Sequence, residues 1–318
     1  MKSILFIIPY FGRFNNYFEW WLKTCKFNPS IDWLIVTDCS EKYDYPPNVH
    51  VEYTSFEELK ERAKKALEVD VNITKPYKLC DLRPAYGIIF ADEIRGYDFW
   101  GHCDVDVLFG DIRRFLTEDV LEKYEKISRW GHMSLYKNNF AMNTLFRKKV
   151  CDVPDVSEIF SSDIAYCFDE VGMRQICKMN DIAICDTADM IFNIDWKKKA
   201  YEPLYWEKQK KDSYAFVWEK GHLYACICND NNIRKREIMY AHFQKRSIAN
   251  DACIDENKLF VYNDILSTKN IQLTVSNYRK YAKSVFFDFT MLRYFFDKIL
   301  VKLRVKRGTT YYSYKFNK

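Results

Sequence analysis

Short, continuous apolar runs punctuate the first third of the chain and alternate with segments of helical rhythm. Residues 3–9 (SILFIIP) are almost wholly apolar, end in Pro and are followed by Gly12, which predicts a buried strand breaking into a loop. Residues 16–26 repeat their apolar positions at helical spacing, and 33–37 (WLIVT) form a second buried strand closing on Asp38. Val49–Tyr53 suggests a third strand, and residues 55–67 open with Ser-x-x-Glu, the capping-box signal of a helix rich in Glu and Lys. Residues 76–94 read as mainly helical, with Pro84 restarting or kinking the helix. Residues 97–103 read as a further strand with Asp104-Val105-Asp106 at its end, and 107–115 leave that strand through Gly110. Such alternation predicts an α/β sheet whose strands end at one shared rim, and ligands of such sheets bind at the rim formed by the carboxyl ends of the strands.

From residue 130 to about 243 the pattern changes to short strands mixed with loops and carrying many of the Tyr and Trp. With 318 residues, 48% hydrophobic and 17% aromatic, the chain can bury a substantial core, and 9 Gly and 8 Pro exclude a linker-rich or low-complexity protein. The 11 cysteines are scattered without a CxxC pair, which argues against zinc ribbons and redox motifs. The opening MKSILFIIPYFG has too short an apolar run and no small-residue cleavage site for a signal peptide. Together these predict a reducing, cytoplasmic setting. No stretch reaches the roughly 18–20 apolar residues that spanning a bilayer needs.

The net charge of +5 is uneven, because residues 278–307 hold nine Lys/Arg against two Asp. In that segment Val285, Phe286, Phe289, Leu292, Phe296, Ile299 and Leu303 recur at helical spacing. The expected organisation is therefore a core domain over 1–265 and a basic amphipathic helical tail over 266–318. The tail can lie on an anionic membrane surface, peripheral to the inner face of the plasma membrane, or pack on the domain's own core. Nucleic acid is not expected as a partner, since the rest of the chain is not basic and has no recognition motif.

Asp104 and Asp106 are the first candidates for chemistry. Carboxylates two apart at a strand end can converge on one hard cation, and oxygen ligands suit Mn²⁺ or Mg²⁺. A D-x-D triplet arises roughly once by chance in a chain of this length, so a turn or cap pair is the plain alternative. The aromatic run before it (YDFWGHC) buries the strand, and carboxylates at such a place need a counter-charge. A metal would supply it, and so would Arg113 or Arg114.

The run KLCDLRPAYG at 78–87, followed by YDFWGHCDVDVLFGDI at 97–112, resembles a family of bacterial glycosyltransferases found among capsule and O-antigen synthesis proteins. Looser similarity takes in FIIPYFG at 6–12, GHMSLYKN at 131–138, Phe168-Asp169-Glu170 and Tyr240-Ala241-His242-Phe243, so it reaches from about Met1 to Phe243. The resemblance implies a GT-A-like, Rossmann-like mixed sheet flanked by helices. It further implies metal-dependent transfer of a sugar from a nucleoside-diphosphate donor, by default UDP-linked, to a lipid-linked saccharide acceptor in surface polysaccharide synthesis. It puts Tyr10, Phe11, Gly12 and Asp38 beside the nucleoside, and Lys78, Asp81 and Arg83 on donor sugar or phosphates, with Asp104 and Asp106 on the metal. A solvated helix face is the bland account of Lys78 and Arg83. His242 would join the two acids as a metal ligand, the alternative being a satisfied core histidine; Lys245 and Arg246 follow it.

Asp169 and Glu170 are the candidate catalytic carboxylates, because deprotonating an acceptor hydroxyl needs an acid within hydrogen-bond reach. Capping of the helix after them is the competing explanation. Trp196, Tyr201, Tyr205, Trp206, Tyr214 and Trp218 can offer ring faces to an acceptor sugar or fill the core, and Gly131, His132 and Asn143 are further acceptor-side candidates. Two rivals remain open: a metal-dependent nucleotidyltransferase or phosphatase, disfavoured by the absence of a Gly-rich phosphate loop, and a non-catalytic sugar- or nucleotide-binding protein on a transferase scaffold.

Overall fold

Strands Ile4–Pro9, Asp32–Thr37 and Phe99–Cys103 form the middle of a seven-stranded mixed sheet in a computed structural model that describes residues 1–207, 212–244 and 246–282. From one edge the order is Val49–Tyr53, Asp32–Thr37, Ile4–Pro9, Phe99–Cys103, Met133–Lys137, Lys126–Trp130 and Ile184–Cys185. The first four run parallel, and Met133–Lys137 turns antiparallel to Phe99–Cys103. Side chains alternate across this sheet as the apolar runs require: Ile4, Phe6 and Ile8 enter one core layer, Leu5 and Ile7 the other. Helix Phe18–Lys26 covers the first face, burying Phe18, Trp21 and Cys25 against it. Helix Phe56–Leu67 covers the second, with Ser55 capping it and Glu58 completing the expected capping box.

The expected helix around Pro84 is broken into short turns: Pro76–Lys78, Leu79–Leu82, Arg83–Ala85 and Tyr86–Ile89. Proline lacks the amide proton a continuous helix needs, so the chain changes winding there and projects Arg83 from a tight turn.

Residues after Asp106 do not simply leave the sheet. Val107–Phe109 is a strand of its own, in a three-stranded sheet with Tyr240–His242 and Phe192–Asn193. The second half is also more regular than its sequence suggests. Ser213–Glu219 and His222–Cys228 are seven-residue strands in a six-stranded sheet with Ile233–Ile238, Lys258–Tyr262, Ile265–Ser267 and Ala249–Asn250. One face of that sheet packs Phe216, Trp218 and Leu223 towards the rest of the molecule, and the other is covered by Ile271, Tyr278 and Ala282. Residues past 265 thus cover a face of this sheet that would otherwise be bare. Of the basic amphipathic segment expected over 278–307, only the turn Tyr278–Tyr281 and Ala282 are described, and the remainder lies outside the described residues. Among the described residues no helix is long and apolar enough to cross a membrane, and all eleven cysteines are free thiols.

Candidate functional site

The order of the seven-stranded sheet reverses at Ile4–Pro9: the chain first builds outward through Asp32–Thr37 and Val49–Tyr53, then returns to the other side with Phe99–Cys103. In open α/β sheets such a switch point is where ligands bind, outside the carboxyl ends of the two strands. Residues 10–12 follow one of these strands and Asp104 the other. The Gly12 amide donates to Asp38 Oδ1 at 2.7 Å, tying the loop to the end of the neighbouring strand. Gly12 has φ +96° in open space, a conformation that favours glycine. Tyr10 stacks on Phe14 at 4.7 Å, and its phenol is pushed above its ordinary pKa by burial and then by the charge of Asp106. Phe11 meets Phe56 edge-on at 5.3 Å. Of the four residues expected beside a nucleoside, Tyr10 is the one that feels the charge of Asp106, while Gly12 and Asp38 bind each other and Phe11 packs on Phe56.

Asp104, Asp106 and His242 converge, each offering a ligand atom within 4.8 Å of the others. Strand register explains how a histidine so far along the chain arrives there. Tyr240–His242 pairs antiparallel with Val107–Phe109, setting His242 opposite Val107, and the Phe243 amide donates to the Asp106 carbonyl at 2.9 Å. His242 Nε2 lies 3.2 Å from Asp106 Oδ1 and 3.7 Å from Asp104 Oδ2. The opposite ring nitrogen, Nδ1, faces Asn193 Oδ1 at 3.0 Å. With Nδ1–H donating to that amide oxygen, Nε2 is the atom turned to the carboxylates, the usual way an outer partner orients a ligating imidazole. Burial disfavours charge on His242, but Asp106 and then Asp104 outweigh it and raise its pKa. Two carboxylates and one imidazole suit a divalent Mn²⁺ or Mg²⁺, and side-chain exposures of 26% for Asp104 and 18% for Asp106 leave the group open to solvent.

The counter-charge of Asp104 is neither Arg113, which donates to the Lys2 and Ser30 carbonyls, nor Arg114, which pairs with Glu237. It is Arg83. One Arg83 nitrogen donates to Asp104 Oδ1, and another to Asp169 Oδ2 at 3.0 Å and to the Gly131 carbonyl at 2.8 Å. Arg83 thus sits between carboxylates rather than on a solvated helix face.

Lys78 and Asp81 correct the expectation that they touch a donor. Lys78 is 3% exposed and Asp81 0%. The Lys78 ammonium donates to Asp81 Oδ2 and to the Ile164 carbonyl, both at 2.6 Å. Asp81 also accepts the Tyr166 and Phe168 amides, at 2.9 and 2.8 Å. Their partners are all internal, and their work is to hold the segment 164–168 that precedes Asp169. For the same reason the near approach of Cys80, Asp81 and Asp169 is no cation site, because the Asp81 oxygens already accept from three donors.

Asp169 and Glu170 are not helix caps. They lie in the turn Phe168–Gly172, with Asp169 on Arg83 and Glu170 Oε1 accepting the Gly131 amide at 2.7 Å. A Cβ at Gly131 would lie 2.6 Å from Asp169 Oδ2 and 2.9 Å from Glu170 Oε1, so only glycine lets both acids close over this backbone. Burial pushes the Asp169 carboxyl up to about 8; Arg83 opposes the rise, while Glu170 and Asp81 add to it. The ion pair with Arg83 argues the other way, but the side chain is 5% exposed and desolvation outweighs one shared guanidinium. The folded state then keeps a proton that the unfolded chain loses near its ordinary value of 3.8. Stability from this group is complete below that value and is lost as pH rises through about 8. Melting temperatures measured from pH 5 to 8.5 are expected to fall less steeply in Asp169→Asn than in wild type, and parallel curves would contradict this.

The other acceptor-side candidates divide. Trp218, Tyr214, Trp206 and Tyr201 are core residues, Trp196 is 52% exposed, and half-buried Tyr205 stacks on Trp130 at 4.0 Å. Asn143 accepts the Trp100 indole N–H at 2.6 Å and is structural. His132 packs against the His242 ring at 4.5 Å and takes a hydrogen bond with the Tyr240 hydroxyl at 2.8 Å. Arg246 pairs with Asp264, and Lys245 lies outside the described residues. Asn193 escaped the sequence reading, since nothing local marks an Asn that matters only through its register with His242.

A comparison with curated proteins finds no match. Residues 6–272 match a family of unknown function, DUF6625, and this span contains every group of the site, from residues 10–12 to His242; the protein belongs to that family.

Proposed function

We propose that the protein is a metal-dependent glycosyltransferase of the GT-A type, moving a sugar from a nucleoside-diphosphate donor, by default UDP-linked, to a saccharide acceptor. The observation that carries this reading is the convergence of Asp104, Asp106 and His242 beyond the strand at the switch point of the sheet, with Tyr10 close enough to feel the charge of Asp106. A divalent cation on those three side chains would supply Lewis-acid neutralisation of the departing diphosphate. The rest of the task falls to the chain itself. Tyr10 and the Gly12–Asp38 link would seat the nucleoside. Glu170 is the half-buried member of the acid pair and would take the proton from the acceptor hydroxyl, while Asp169, buried and held by Arg83, would fix its position. In keeping with the resemblance of the sequence to capsule and O-antigen enzymes, the acceptor would be lipid-linked and the protein peripheral to the cytoplasmic face of the plasma membrane.

A non-catalytic nucleotide-binding protein is the second reading, favoured by the hold of Arg83 on Asp104. Screening nucleotide sugars for Mn²⁺-dependent hydrolysis separates the two. Turnover of at least one donor, abolished by chelator, is expected; binding of UDP without any turnover would leave the second reading in place.

A further inference from the structure

We infer that Arg83 is the resident counter-ion of Asp104 and competes with a divalent cation for its charge, so that cation binding loosens the guanidinium's hold on Asp104 while it keeps Asp169 and Gly131. The inference rests on reading Asp104, Asp106 and His242 as a cation site. The planar fork of Arg83 is divided: one nitrogen serves Asp104 Oδ1 alone, and the other serves Asp169 Oδ2 at 3.0 Å and the Gly131 carbonyl at 2.8 Å. Release of the first arm therefore leaves the second with two acceptors. The opposite oxygen of Asp104, Oδ2, already faces His242 Nε2 at 3.7 Å. A carboxylate whose oxygen is held by a charge-assisted hydrogen bond is a poorer metal ligand, and a fixed positive charge beside the site repels a cation. The 20% exposure of Arg83 and 26% exposure of Asp104 give the released arm somewhere to go.

A purely structural Arg83 predicts the opposite sign. If it only oriented Asp104, removing it would weaken cation binding. The test is Mn²⁺ titration of the full chain by calorimetry and electron paramagnetic resonance, comparing wild type, Arg83→Gln and Arg83→Gln combined with Asp106→Asn. Arg83→Gln is expected to bind Mn²⁺ about tenfold more tightly than wild type, the scale on which partners of metal ligands act, and the added Asp106→Asn should remove that gain. Equal or weaker binding by folded Arg83→Gln overturns the competition while leaving the site intact. Absence of Mn²⁺ binding in both wild type and Arg83→Gln overturns the site and the competition together. Should Arg83→Gln fail to fold, the Arg83 Nε–H resonance of wild type, assigned by its loss in Arg83→Lys, gives the same decision: a shift on adding Mg²⁺ supports release, and an unmoved signal overturns it.

Discussion

Replacing Asp106 with Asn is expected to weaken Mn²⁺ binding by at least about a hundredfold and to abolish measurable metal-dependent turnover, with the fold kept. Removal of even an outer partner of a metal ligand costs about 10–100-fold in affinity, so loss of a charged ligand should reach the upper end. Asn preserves the size of the side chain, and the bond from the Phe243 amide goes to the Asp106 backbone carbonyl at 2.9 Å, which the substitution leaves in place. The change removes the charge that faces His242, 3.2 Å away. Calorimetric titration with Mn²⁺, alongside a melting curve that shows the variant folded, measures it. Undiminished affinity would remove Asp106 from the cation site and with it the proposed chemistry.

Lys78→Met is expected to cost roughly 3–5 kcal/mol of stability, the usual penalty for breaking a buried ion pair by removing one partner. Its ammonium is the only cation bonded to Asp81 among the described residues, and Asp81 has no exposure to water. The remaining donors, the Tyr166 and Phe168 amides, are neutral. Urea denaturation of Lys78→Met and of Lys78→Met combined with Asp81→Asn would show the cause: the second change should recover part of the loss. A shift below about 1 kcal/mol, the range of exposed pairs, would mean that the pair is solvated after all.

Much of the first sheet was legible because its strands are buried on both faces and so read as unbroken apolar runs, as in 3–9 and 33–37. Ser55 and Glu58, and the break at Pro84, were legible because caps and prolines act through local backbone chemistry. Val107–Phe109 was not: three apolar residues after a turn carry no periodicity, and their partner strand lies more than 130 residues onward. Lys78 and Asp81 were misjudged for a related reason. A Lys and an Asp three apart look alike on a wet helix and in a core, and here the segment 164–168 decides by covering them. The same limit applies to the aromatic residues from 201 to 218: Tyr214, Phe216 and Trp218 lie on a strand of a second sheet that no short window reveals, Tyr201 and Trp206 pack with them, and Tyr205 is half-buried. The D-x-D was visible, but that its first carboxylate would share Arg83 with Asp169 was not.

The cluster of Asp104, Asp106 and His242 is assembled across a seam. Asp104 and Asp106 follow a strand of the first sheet, whereas His242 is presented by a strand that also carries Ala241 into the core beneath the six-stranded sheet. An ion gripping all three would act as a rivet between the two halves, adding the free energy of its binding to their attachment by mass action. Conversely, any excursion that pries the later half loose would scatter the ligands and shed the ion, so the rate of metal escape would report how often the molecule breathes along that line.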